Sequence, residues 1–175
     1  MVLKDRLIKD GVVVLPDLYF FDEPAPIGKV KKIGTFKTKA QVDPFSGKQF
    51  LSYLPYLPSR IEAELVSSWP VADEPFASQR WHRDTELGPC IRAMVYLSDV
   101  TVNDGPLCYA SGTCELKTPT NRMSDDEFAK IVPRSDWLTL TGPKGTAILF
   151  NIMGFHRGLA NVTGRREALC FTFHA

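Results

Sequence analysis

The sequence predicts a mainly β protein, a closed or two-sheet antiparallel structure of the barrel or jelly-roll kind with a few short helices. Two observations carry that expectation. Roughly eight or more short runs of Val, Ile, Leu, Phe and Tyr are bounded by Gly, Pro, Asn and Asp, the pattern of strands separated by tight turns. Nowhere do such runs alternate with long amphipathic helices, which argues against a doubly wound parallel sheet. At 175 residues the chain is long enough for one core and short for two.

In chain order, "GVVVLPD" (11–17) reads as an opening strand, and residues 22–59 as a polar stretch of short strands and loops. "AELVSSWPV" (63–71) and "FASQRWHRD" (76–84) read as strands parted by a turn at Asp73-Glu74-Pro75. "CIRAMVYLSDV" (90–100) has the strongest strand pattern; "NDGPL" (103–107) is a turn leading into "LCYA". "WLTL" (137–140), "GTAILFNI" (145–152), "FHRGLANV" (155–162) and "EALCFTFHA" (167–175) complete the set. One helix stands out: Ser124-Asp125-Asp126-Glu127 is a capping box opening onto Phe128, Ile131 and Val132. It lies in an insertion between strands, a place for a surface helix or a lid. A single domain over 1–175 is expected, with its core at about 60–175 and residues 1–59 completing the barrel.

Composition excludes several classes. Net charge is +1, so no overall field points to nucleic acid or to an anionic membrane surface. The longest apolar runs, Val12–Leu15 and Ala147–Phe150, cannot span a bilayer. The opening "MVLKDRLIKDG" carries charges through its apolar positions, unlike a signal peptide, and a cytoplasmic protein is expected. Cys90, Cys108, Cys114 and Cys170 form no CxxC pair and read as buried small hydrophobes.

The chemistry concentrates in few residues. His82 and Asp84 stand at i and i+2 in a strand-like run, so both side chains project from one face. Alone, His-x-Asp is a common surface pattern. His156 follows late in another apolar run, 74 residues on, beside Gly154 and Gly158. Two histidines and one carboxylate leave three positions open on Fe(II), whereas a structural zinc more often takes four ligands including thiolate. Arg166 comes ten residues later at the start of a strand; its guanidinium can clamp a carboxylate through two parallel hydrogen bonds.

This order resembles the Fe(II)/2-oxoglutarate-dependent dioxygenases, and among them the phytanoyl-CoA dioxygenase-like family. The likeness runs from about Trp81 to Phe173, and "DGVVVLPDL" (10–18) is similar to the family's opening strand. "VYLSDVTVNDGPLCYASGT" resembles its strand–turn–strand segment, and "KGTAILFNIMGFHRGLANVTGRREAL" its distal histidine and arginine strands. The resemblance implies a double-stranded β-helix, jelly-roll and cupin-like, with His82, Asp84 and His156 on Fe(II). Arg166 would hold the C5 carboxylate of 2-oxoglutarate, and O2 would be the co-substrate. Iron-dependent halogenases in this group lack the carboxylate ligand, so Asp84 favours hydroxylation, of a small soluble substrate, with oxoglutarate going to succinate and CO2. A prolyl-4-hydroxylase-type oxygenase acting on a peptide, and a non-catalytic metal-binding cupin-like protein, are the alternatives.

The sequence departs from the family at three places. Ser111-Gly112-Thr113-Cys114 stands where the family has a turn ending in histidine, Met94 stands where an aromatic residue is frequent, and the N-terminal segment reads as shortened and non-helical. His174 reads as a bland terminal residue. Of the neighbours Arg165 and Arg166, strand alternation admits only one inward, and the family match selects Arg166. Arg80, Arg83, Arg92 and Arg157 read as solvated rims or salt bridges; two or three of them facing the cavity would imply an anionic substrate. Trp69, Trp81 and Trp137 read as core or pocket wall.

Overall fold

The computed structural model describes residues 3–16, 31–33, 37–70 and 77–175. The turn expected at Asp73-Glu74-Pro75 and part of the 22–59 stretch lie outside them. Helix α1 (Leu3–Lys9) leads into β1 (Val12–Leu15). Strands β2 (Lys31–Ile33), β3 (Lys37–Gln41) and β4 (Arg60–Ser68) follow, with a 3₁₀ helix at Pro44–Tyr53. Next come β5 (Trp81–His82), β6 (Cys90–Tyr96), β7 (Leu107–Ala110) and β8 (Arg122–Met123). Helix α2 (Asp125–Phe128), β9 (Trp137–Leu140), β10 (Ala147–Asn151), β11 (His156–Gly158) and β12 (Arg166–His174) complete the order.

The strands form two antiparallel sheets of the double-stranded β-helix type. The larger runs β1-β10-β6-β12-β4-β3-β2 and the smaller β8-β5-β11-β7-β9. Alternation along the central strands explains why they read as nearly continuous apolar runs. Ile91, Ala93 and Val95 of β6, with Leu169, Phe171 and Phe173 of β12, face outward into a cluster covered by Leu7 of α1 and Phe50 of the 3₁₀ helix. Tyr96, Ile148, Phe150 and Ala168 face the other way, toward Leu107 and Tyr109 of the small sheet. Both faces are thus buried, and each fully buried aromatic or aliphatic side chain contributes about 1.5–3 kcal/mol. Gly47 permits the outer cover to sit close, because a Cβ there would lie 2.7 Å from the Phe171 ring.

Several local expectations need correction. The N-terminal segment is helical, and Leu7 is its buried anchor. The run 77–84 is not one strand: a 3₁₀ turn at Ala77–Gln79 precedes a strand of two residues, paired at Trp81 and His82 with β8 and at His82 with His156 of β11. His174 is no bland terminus. β12 runs nine residues between β4 and β6, and its alternation carries the imidazole inward, 3.3 Å from Cys90 Sγ and 3.4 Å from Glu62. The capping box is present at Ser124 and Glu127. All four cysteines are free, with Cys114 half-buried and the others buried. Among the described residues, no helix is long and apolar enough to cross a membrane.

Candidate metal centre

His82 and His156 are direct register partners between β5 and β11, and Asp84 follows β5 by two residues. The three bring one ligand atom each to within 4.8 Å of one another. Asp84 Oδ1 lies 3.7 Å from His82 Nε2, and Oδ2 lies 3.8 Å from His156 Nε2. Both Nδ1 atoms face backbone carbonyls, of Arg80 and of Gly154, each at 2.9 Å. A carbonyl only accepts, so Nδ1 carries the proton and the Nε2 lone pair is turned inward, as a metal-bound histidine requires.

Electrostatics suit the same use. Burial lowers the pKa of both histidines and keeps them neutral, the form that binds a cation. Burial works against ionisation of Asp84, but the Arg92 guanidinium, through its charge and its hydrogen bond, favours the carboxylate, and the carboxyl is held below its ordinary value. Two neutral imidazoles and one carboxylate, with no thiolate among them, fit Fe(II) and leave coordination positions for other ligands.

His82, His156 and Arg166 line one cavity, whose wall includes Phe150, Leu107 and Met94 and which encloses about 680 Å³ with its mouth. Arg166 is buried; its Nη1 donates to the Gly105 carbonyl while its Nε has no partner among the described residues. An orphaned donor on a buried guanidinium is costly unless a ligand completes it. Arg165, by contrast, is exposed, ion-paired to Glu167 at 2.5 Å and stacked over Trp69. Trp69 reaches the cavity wall, as expected of a pocket residue.

The residues flanking the ligands point the other way and build a foundation. Trp81 and Phe155 pack with Phe128, Val132 and Met123, and the Trp81–Phe128 centroids are 4.5 Å apart. Arg157, after His156, ion-pairs with Asp125 at the start of α2 and lies over Trp81. Arg83 donates to the Leu116 carbonyl at 2.7 Å and covers the Phe155 ring. Arg80 pairs with Glu127. The insertion therefore braces the strands that carry His82 and His156 from behind; among the described residues, none of 114–136 lines the cavity.

Two residues near the centre escaped sequence reasoning. Tyr109 stacks on His156 at 14° between planes and donates to the Asn151 carbonyl; nothing local in "LCYA" marks it. Arg92 reads from the sequence as a rim or salt-bridge residue; the salt bridge is present, but it is made to Asp84 at 3.1 Å, and the side chain lines the cavity. Strand parity carries the signal, since Arg92 lies on the same face of β6 as Met94, which also lines the cavity.

Comparison with known proteins adds to this geometry. A family model described as phytanoyl-CoA dioxygenase (PhyH) matches residues 55–168. No curated protein matches the sequence significantly. Among solved structures, the non-heme alpha-ketoglutarate-dependent epimerase SnoN from nogalamycin biosynthesis is 20% identical with a TM-score of 0.68, over 99% of this chain and 82% of that one. HygX from Streptomyces hygroscopicus, with nickel, 2-oxoglutarate and hygromycin B bound, is 14% identical with a TM-score of 0.65, over 96% and 84%. EctD from S. alaskensis is 17% identical with a TM-score of 0.64, over 98% and 75%. At such identities the likeness is one of fold.

Proposed function

The chain belongs to the phytanoyl-CoA dioxygenase family and is an Fe(II)/2-oxoglutarate-dependent oxygenase, and on that premise we propose that His82, Asp84 and His156 hold the iron while Arg166 anchors the cosubstrate. The observation that carries the assignment is the convergence of both inward Nε2 atoms with the Asp84 carboxylate, beside a cavity whose wall holds both histidines and a buried, incompletely bonded guanidinium. Iron bound there supplies O2 activation coupled to decarboxylation of oxoglutarate, for hydroxylation of the primary substrate.

The chain's own groups divide the remaining work. His82 and His156 stay neutral and are aimed by their carbonyl tethers. Asp84 supplies the negative charge that partly offsets the metal's. Arg166, which has no acidic partner among the described residues, would hold the far carboxylate of 2-oxoglutarate. Phe150, Leu107 and Met94 exclude water along the cavity, which strengthens each charge interaction inside it.

A small soluble substrate is the reading favoured here, since SnoN and HygX were solved with nogalamycin RO and hygromycin B. Of Arg80, Arg83, Arg92 and Arg157, only Arg92 lines the cavity, so the arrangement that would have argued for an anionic substrate is not met. A purely metal-binding role is disfavoured by Arg166: unlike Arg83 and Arg157, whose guanidinium groups also leave Nε unbonded but brace the back of the site, it lines the cavity beside both histidines, where a carboxylate would complete its bonding. The test is succinate release from oxoglutarate with Fe(II), ascorbate and O2. His82→Ala and Asp84→Ala should abolish it without unfolding the protein, and a variant retaining full turnover would refute the assignment.

A further inference from the structure

Each histidine of the triad has one tether outside the centre: His82 the Arg80 carbonyl, His156 the Gly154 carbonyl. Asp84 needs an equivalent, because a carboxylate on a mobile stem offers a metal no fixed geometry. Its own turn does not provide one. Asp84 begins the 3₁₀ turn at Thr85–Leu87 without a side-chain capping bond; its backbone N–H donates to the Ile152 carbonyl and its carbonyl accepts from the Leu87 N–H, which fixes the backbone and leaves the carboxylate untied by the turn.

The carboxylate's tether comes from the opposite sheet. Arg92 Nη1 donates to Asp84 Oδ2 at 3.1 Å, with both side chains about four-fifths buried. Arg92 is itself held by its cross-strand partner Thr172, whose Oγ1 accepts from Nε at 3.2 Å. Thr172, Arg92 and Asp84 thus form a chain of hydrogen bonds from β12 through β6 to the ligand loop. Among the described residues, none that lines the cavity is an aspartate or glutamate that would compete with Asp84 for Arg92.

We propose that Arg92 is a positioning residue for the metal centre, holding Oδ2 of Asp84 so that the carboxylate meets the metal in one orientation, with Thr172 fixing Arg92 in turn. This rests on the triad being the metal site. A planar guanidinium bonded at both Nε and Nη1 suits the task, whereas a lysine ammonium supplies charge without the fixed plane.

The proposal makes a prediction opposite to that of charge alone. A guanidinium beside a dication repels it, so loss of the charge should tighten metal binding by Coulomb's law. Loss of an outer partner that orients a ligand instead weakens binding by roughly 10–100-fold.

The experiment is titration of the metal-free protein with Mn(II), followed by the loss of the free-ion EPR signal. Wild type against His82→Ala comes first; if both bind alike, the triad is not the metal site and the reading beneath the proposal fails. With that difference established, folded Arg92→Met should bind Mn(II) at least about tenfold more weakly. Arg92→Lys should recover only part of the loss. Thr172→Val, which keeps the arginine and changes little volume, should weaken binding in the same direction by less. Unchanged or tighter binding in Arg92→Met overturns the proposal, whatever its unfolding midpoint. Should that variant not fold, unchanged binding in Thr172→Val overturns it equally.

Discussion

His82 and His156 sit directly opposite one another across β5 and β11, with ring centroids 4.5 Å apart. Two residues 74 positions apart in the chain thus share a single strand pairing. A slip of one residue in that pairing would turn one imidazole to the opposite face. The metal centre is therefore only as well defined as this register, and what secures the register lies behind the sheet.

Gly154 is one such point. A Cβ there would lie 1.9 Å from Tyr109 Oη, and the same residue's carbonyl tethers His156. Gly154→Ala should displace Tyr109 from the face of His156 and weaken metal binding. The check is Mn(II) affinity beside the thermal midpoint, and both should fall.

Phe128 is the second. It is fully buried against Trp81, Trp137 and Phe155. Phe128→Ala should cost about 3–5 kcal/mol of stability, as large aromatic truncations in cores do. Because Trp81 immediately precedes His82, turnover should also drop in the fraction that remains folded. Chemical denaturation and succinate release measure the two effects separately.

Arg166 and Arg165 should behave oppositely. Replacing Arg166 by Ala removes charge-assisted hydrogen bonds worth about 1.5–3 kcal/mol each, so the oxoglutarate KM should rise by roughly tenfold or more while Mn(II) affinity changes little. Arg165→Ala should leave the oxoglutarate KM near wild type, since that side chain is exposed and paired with Glu167. An unaltered oxoglutarate requirement in Arg166→Ala would remove it from the site.

The buried histidines give the metal-free protein a pH dependence of definite sign. Both have folded pKa values lowered by burial, whereas in the unfolded chain they titrate near 6.5. Below about 6.5 the unfolded state binds more protons than the folded one, so stability falls as the pH drops. Above that value the effect vanishes. The urea midpoint of metal-free protein should be lower at pH 5.5 than at pH 7.5, and His82→Ala should reduce the difference.

Much of the candidate site is legible in one dimension because its chemistry is local in residue type. His82-x-Asp84, His156 and Arg166 are recognisable from spacing and from the family they resemble, and the Ser124 capping box is readable from four residues. Arg92 is harder to read: its partners Asp84 and Thr172 come from different parts of the chain, and an arginine next to an apolar run looks like a rim residue until the sheet face is known. His174 misleads for the same reason. One residue from the end, it reads as a bland terminal residue, yet pairing on both sides of β12 buries it.

From its sequence alone the protein is a β-rich chain with the ligand types, order and arginine of an iron- and oxoglutarate-dependent oxygenase. Propensity, capping and metal-ligand preference are properties of residues and their near neighbours, so they survive the absence of coordinates. The tertiary structure alone decided that His82 faces His156 in register. It likewise turned Arg92 inward to Asp84, and set the insertion behind the metal strands rather than over the cavity. Those outcomes depend on which distant strands pair and which face each buries, a balance struck by packing across the whole core.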